Sequence, residues 1–252
     1  MKHFLLAILL CLITNSTTAG NIALIIDDMG YRKQDEAAFA LPPQVTFAIL
    51  PHTPYSTRYS VRASEQDREV MLHMPMEALA GNRLGPGALT AQMTEQAITQ
   101  ELGLALNSVP HAIGLNNHMG SKLTQLSSPM RTTMNFLQTR QMFFVDSRTT
   151  RYSKAEKIAA LQGVPSAHRH VFLDHFQDEA HMRQQFNRLI RIAKKYRNAV
   201  GIGHPYEETL RFLRQALPEL AGHGIRLIPI SALMQEKALA LADQPVSTNH
   251  TE

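Results

Sequence analysis

Ile22-Ala-Leu-Ile-Ile26 runs directly into Asp27-Asp28-Met29-Gly30, and this junction decides the fold. Five apolar residues with no polar alternate fit a strand covered on both faces, as in a parallel sheet. The acids and glycine that follow mark the strand's carboxyl end, where the loops of parallel α/β folds build their sites.

Similar runs recur along the chain. Strands are predicted over 21–27, 44–50, 68–74, 111–116, 141–146, 170–174, 198–203 and 225–230. Helical spacing lies between them. Ile98, Leu102, Ala105 and Val109 form one stripe, stopped by Pro110. Met182, Phe186, Leu189, Ala193 and Tyr196 form a second, and Leu210, Leu213, Leu217 and Leu220 a third. These stripes are core faces. Ser153 with Glu156 has the spacing of a capping box. Alternating strands and helices predict an α/β domain with a mostly parallel sheet, and about eight strands favour closure into an irregular barrel. Nothing in the middle of the chain reads as a linker, so one domain is expected over 20–235, followed by a flexible polar tail over 236–252.

The amino terminus reads as an address. Lys2 and His3 precede an apolar stretch, and Thr17-Thr18-Ala19 supplies small residues for a cut after Ala19. This is the pattern of a cleavable signal peptide over 1–19, hence of a periplasmic protein. The apolar stretch is shorter than the roughly 18 residues that span a bilayer, so no stable membrane span is expected after cleavage. The only cysteine, Cys11, lies within the leader. The mature chain then has neither a disulfide nor a thiolate for catalysis or zinc binding.

Composition narrows the classes further. With 44% hydrophobic and 18% charged residues in a chain of 252, disordered, collagen-like and coiled-coil proteins are excluded. The net charge of +4 is scattered. Its densest group, Arg188, Arg191, Lys194, Lys195 and Arg197, sits on one predicted helix and reads as a solvated face, so no nucleic-acid partner is expected. There is no Gly-x-Ser-x-Gly elbow, Walker loop or Gly-x-Gly-x-x-Gly fingerprint.

What the strand ends do carry is a set of acids, imidazoles and amides. They are Asp27-Asp28, His73 with Glu77, Asn116-Asn117-His118, Asp146-Ser147-Arg148, Asp174-His175 and His204. Two adjacent carboxylates leaving a buried strand repel each other unless positive charge lies nearby. A divalent cation with imidazole ligands meets that need. An Asp and two His leave open positions on a zinc-like ion. Such an ion acidifies water and polarises a carbonyl, while a second Asp serves as base and a histidine as acid. That set hydrolyses amides or esters.

Together, Ile26-Asp-Asp-Met-Gly30, Leu72-His-Met-Pro-Met-Glu77, Gly114-Leu-Asn-Asn-His-Met-Gly-Ser121, Phe144-Val-Asp-Ser-Arg-Thr149 and Gly203-His-Pro205 resemble the divergent polysaccharide deacetylase family, the YibQ-like proteins. The resemblance covers residues 20 to 235 and implies the distorted (β/α) barrel of the polysaccharide deacetylase superfamily. It implies Asp27 as base, Asp28 as metal ligand and His204 as catalytic acid. The superfamily's pair of histidines four apart is altered: His73 is present, and Glu77 stands in the second place. His118, one strand later, replaces the missing imidazole, so Asp28, His73 and His118 are the expected ligands, with Glu77 in reserve as ligand or loop brace. Asn117 and Arg148 are candidates to orient substrate or stabilise an oxyanion, with a turn or salt-bridge role as the alternative for each. Asp146 and Asp174 are candidates to orient the metal histidines.

The implied function is a periplasmic, metal-dependent (zinc) hydrolase that removes acetyl groups from a carbohydrate, peptidoglycan being a plausible envelope substrate. Two alternatives stand beside it. One is a barrel of weak or no activity that binds a glycan or a partner. The other is a hydrolase of a different C–N bond, such as a cyclic amide.

Overall fold

The computed structural model describes residues 19–242. The expected leader therefore lies outside the described residues except for Ala19, and so does the tail beyond 242. Nine strands and seven α-helices follow one another along the described chain. The strands are β1 (Gly20–Met29), β2 (Thr46–Ile49), β3 (Val70–Met76), β4 (Ala112–Met119), β5 (Phe143–Asp146), β6 (Ser166–His168), β7 (Val171–Phe172), β8 (Asn198–Gly203) and β9 (Ile225–Leu227). The helices are α1 (Ser56–Ser64), α2 (Glu95–Ser108), α3 (Ser127–Gln138), α4 (Ala155–Leu161), α5 (Glu179–Tyr196), α6 (Glu207–Ala216) and α7 (Ile230–Ala242).

Every pairing in the sheet is parallel, in the order β6-β5-β4-β3-β2-β1-β8-β7, with β9 joined to the start of β1. The two edge strands, β6 and β7, are neighbours in sequence. Only Arg169 and His170 separate them, and this dipeptide spans the seam. The Arg169 N–H donates to the Asp146 carbonyl on one edge, and the His170 N–H donates to the Val200 carbonyl on the other. The sheet thus curls into a distorted barrel whose last gap is bridged by the chain itself.

Side chains alternate across each strand, and the core divides accordingly. Ile22, Leu24 and Ile26 of β1 pack outward among the helices, with Leu72, Leu102, Phe144, Phe186 and Leu189. Ala23 and Ile25 point inward, with Ala48, Met71, Val145, Val200 and Ile202. Ile230 and Leu233 of α7 and the neighbouring Met234 join this inner cluster. Burial on both faces explains why the strands read as unbroken apolar runs. It contributes about 1.5–3 kcal/mol for each fully buried Leu, Ile or Val side chain.

Local differences from the sequence reading have physical causes. One strand was not expected: β6 is Ser-Ala-His, too short and polar to show a period. Glu156 does not complete a capping box: Ser153 Oγ accepts the Ala155 N–H, while Glu156 pairs with Arg148 and His168. Helix α7 continues to Ala242, past the boundary at 235. No helix among the described residues is long and apolar enough to cross a membrane.

Candidate metal and acid–base site

The inward phase of the strands carries through to their carboxyl ends. Asp27 follows Ala23 and Ile25, His73 follows Met71, His204 follows Val200 and Ile202, and Asn116 and His118 occupy the same phase of β4. The apolar filling of the barrel is therefore topped by a polar layer.

Asp28 should point the opposite way from Asp27. A β-bulge prevents it. Ile26 pairs with Phe47 and Met29 with Ile49, so two residues of β1 oppose one of β2, and Asp28 takes a left-handed φ of 58°. Bulges re-aim side chains in this way beside active sites, and Asp is among the few residues that tolerate that region.

Asp28 Oδ1 lies 3.0 Å from His73 Nε2 and 2.8 Å from His118 Nδ1. The two imidazole nitrogens are 3.2 Å apart. Among the described residues these three form the one cluster whose donor atoms converge as a metal site requires. Ligand atoms placed tetrahedrally at zinc distances would be about 3.3 Å apart, close to the spacing observed.

Proton bookkeeping also favours a cation. Asn116 Nδ2 donates to Asp27 Oδ1 at 2.8 Å, so its Oδ1 must accept from His73 Nδ1, also at 2.8 Å. This leaves the His73 Nε2 lone pair facing the Asp28 carboxylate. Either a second proton or a cation has to lie between them. Burial disfavours the second proton, yet Asp27 and Asp28 raise the His73 pKa. The cluster thus calls for positive charge, and a divalent ion fits it.

The two acids are driven apart. Burial raises the Asp27 pKa, with the charges of His73 and His204 opposing. Burial would also raise Asp28, but hydrogen bonds from His118 and His73 outweigh it and hold that carboxyl well below the usual range. Asp28 is thereby suited to a ligand and Asp27 to a base. Across the mouth, Asp174 Oδ1 accepts from His204 Nδ1 at 2.9 Å. Asp174 Oδ2 accepts from the His204 N–H at 2.7 Å and from Thr209 Oγ1 at 2.8 Å. This fixes the ring with Nε2 toward the centre, 3.9 Å from Asp28 Oδ2. Burial would lower the His204 pKa, but the Asp174 bond and the charges of Asp174, Asp27 and Asp28 raise it to about 9.

The other candidates are placed differently. Asp174 orients His204 rather than a metal histidine. Asp146 closes a turn, its Oδ1 accepting the Arg148 N–H. Arg148 turns to Glu156 at 2.9 Å. Asn117 ties strand ends together, accepting from the Ser147 N–H and donating to the Met119 carbonyl. Glu77 accepts from the Ala91 N–H at 2.7 Å and pairs with Lys122 at 2.5 Å. These bonds, the backbone one first, lower its pKa. It braces the loop over 78–89, and a Glu77→Gln variant is expected to bind metal as the wild type does while that loop gains proteolytic sensitivity. Metal titration with limited proteolysis would check both halves.

Asn116 is the residue that sequence reading overlooked. It was seen only as part of a motif, because an amide at a strand end reads as a turn signal. A cavity of about 660 Å³ beside His118 is lined by Tyr31, Arg83, Leu84, Gly85 and Pro86. The glycine- and proline-rich loop thus forms one wall next to the proposed ligands.

A parallel α/β barrel is thus topped by an Asp-His-His trio able to hold a metal ion, with a second Asp and a carboxylate-held His beside it. The sequence profile of the divergent polysaccharide deacetylases matches residues 24–234, and the chain belongs to that family. It is 35% identical over 234 residues to the uncharacterized protein YibQ of Escherichia coli K12, covering 92% of this chain and 73% of that one. The fold is similar to an uncharacterized protein of Agrobacterium tumefaciens C58, with a TM-score of 0.81 at 23% identity over 85% of this chain and 89% of that one. It is also similar to a family 4 carbohydrate esterase of Streptomyces lividans in complex with acetate, with a TM-score of 0.50 at 12% identity over 82% and 91% of the two chains.

Proposed function

We propose that this chain is a periplasmic, zinc-dependent deacetylase of an envelope glycan, with peptidoglycan as a candidate substrate. The observation that carries the reading is the convergence of the Asp28–His73–His118 trio between Asp27 and the Asp174-held His204. A divalent cation on the trio would supply an acidified water and polarise the acyl oxygen. Asp27, its pKa raised by burial, takes the proton of the attacking water. Asn116 keeps the Asp27 carboxylate in place and the His73 lone pair turned inward. His204, whose pKa the Asp174 bond raises against the pull of burial, gives its Nε2 proton to the departing nitrogen or oxygen. The cavity beside His118 takes the sugar, with Tyr31 on its wall. The leader expected at the amino terminus supports the periplasmic location.

The test is acetate release from N- and O-acetylated envelope glycans by the metal-loaded chain. Asp27→Asn is expected to lower kcat by about 10²–10⁴ with metal content unchanged. A metal-loaded wild type that binds glycans but releases no acetate would mark the barrel as a binding module instead.

A further inference from the structure

We propose that the cavity between β5 and α4 is an oxyanion subsite that takes a carboxylate or phosphate carried by the substrate glycan. This deepens the functional reading above and rests on it. The cavity, of about 680 Å³, is lined by Arg148, Arg151, Lys157 and Arg169, with Asp146 and Glu156 as its acids.

Its position ties it to the catalytic layer. β5 lies beside β4, with Asn116 paired to Val145, and adjacent strands are about 4.8 Å apart. Asn116 Nδ2 lies 3.4 Å from Ser147 Oγ. Thr149 Oγ1 donates to the Met119 carbonyl at 2.8 Å, one residue beyond His118. A chain of sugars seated at the trio has this cavity one strand away.

Its charge is excess cation. Of the two acids, Asp146 is buried with Oδ1 occupied by the Arg148 N–H. Glu156 is shared between Arg148 at 2.9 Å and His168 at 2.8 Å. Arg151, Lys157 and Arg169 have no carboxylate within ion-pair distance among the described residues. Arg169 is partly buried and stacked 3.8 Å over the Phe172 ring. It donates through Nε to the Ser147 carbonyl and through Nη2 to the Arg148 carbonyl. Its hydrogen bonds go to neutral carbonyls, and the buried Asp146 and Asp27 carboxylates nearby supply the negative charge it faces, so the cations left over at the cavity are Arg151 and Lys157.

The walls are held rather than loose. Arg148 sits at a left-handed φ of 46°, pinned by Asp146 on its N–H and Arg169 on its carbonyl. Such a conformation costs about 1–3 kcal/mol and persists only where neighbours over-determine it. Arginine forks match carboxylate and phosphate oxygens in pairs, and Arg151 with Lys157, beside the held Arg148 and Arg169, define the ligand class.

The experiment is calorimetric titration of the metal-loaded full chain with four probes. They are a neutral N-acetylglucosamine tetramer, an oligomer of equal length bearing N-acetylmuramic acid carboxylates, a phosphorylated oligomer, and inorganic phosphate. A charged oligomer is expected to bind at least about 10-fold tighter than the neutral one, and the tighter of the two identifies the anion's source. An Arg151→Gln/Lys157→Gln double variant, with exposed side chains and an unchanged melting profile, should lose that preference while keeping neutral affinity. Equal binding of charged and neutral oligomers overturns the subsite and leaves the glycan reading standing. Equal weakening of both in the double variant also overturns it. If no oligomer binds but inorganic phosphate binds the wild type and not the double variant, the subsite stands and the glycan reading falls.

Discussion

A His118→Ala variant is expected to lose its divalent ion and, with it, all measurable hydrolysis. His118 Nδ1 is 2.8 Å from Asp28 Oδ1 and 3.2 Å from His73 Nε2, so its removal leaves two donors where an open catalytic site needs three. The loss in metal affinity should exceed the 10–100-fold typical of removing an outer hydrogen-bond partner. Asn116→Leu supplies that lesser case. It removes the acceptor that keeps the proton on His73 Nδ1, and it should weaken the ion within that range without abolishing it. Elemental mass spectrometry of both variants, with circular dichroism to verify the fold, orders them. A His118→Ala protein that retained a full equivalent of metal would remove this residue from the site and return Glu77 to consideration.

The barrel was legible because its strands are covered on both faces. The run over 198–203 coincides with β8 (Asn198–Gly203), and the run over 21–27 lies within β1. Elsewhere the chain stays in the sheet longer than its polarity suggests. β4 was expected to stop at 116 and continues to Met119. Asn116, Asn117 and His118 favour turns by propensity, yet β3 beside them holds the ladder out to Met76. Tertiary pairing overrides local preference there, and as a result the ligands stand on strands rather than loops. Asp27, Asp28, His73 and His204 stand at or near the ends of apolar runs, His118 follows two asparagines past such a run, and the family resemblance supplied the roles of all five. Their partners could not be read in that way. Asn116 becomes a bridge between Asp27 and His73 only through β3–β4 register, and Asp174 meets His204 only because β7 lies beside β8. Arg148 and Asp146 share the strand-end signature yet serve the seam and its cavity, because Asp146 Oδ1 accepts the Arg148 N–H and the Arg148 guanidinium turns to Glu156.

Asp174→Asn should produce the second large effect, and pH separates a positioning role from a merely structural one. The amide can still accept from the His204 N–H and Thr209 Oγ1, so the local fold is kept. The negative charge facing His204 Nδ1 is lost. The His204 pKa, held at about 9, then falls toward or below the usual imidazole value as burial prevails. At pH 8 the proton donor disappears, and kcat should drop by about 10²–10³, with less loss at pH 6. The same shift has a thermodynamic counterpart in the metal-free chain. A raised imidazole pKa stabilises the fold fully below the unfolded value near 6.5, and that contribution is lost as pH rises through about 9. A rise of this size corresponds to roughly 3 kcal/mol at most, part of it shared with Asp27 and Asp28. Urea unfolding of the metal-free wild type should therefore show lower stability at pH 9.5 than at pH 6, and Asp174→Asn should flatten that difference. Bound cation should narrow it in the wild type, because positive charge on the trio opposes the imidazolium 3.9 Å from Asp28. Equal wild-type stability at both pH values would mean that Asp174 does not hold a charged His204, and the acid role would have to move to another group at the mouth.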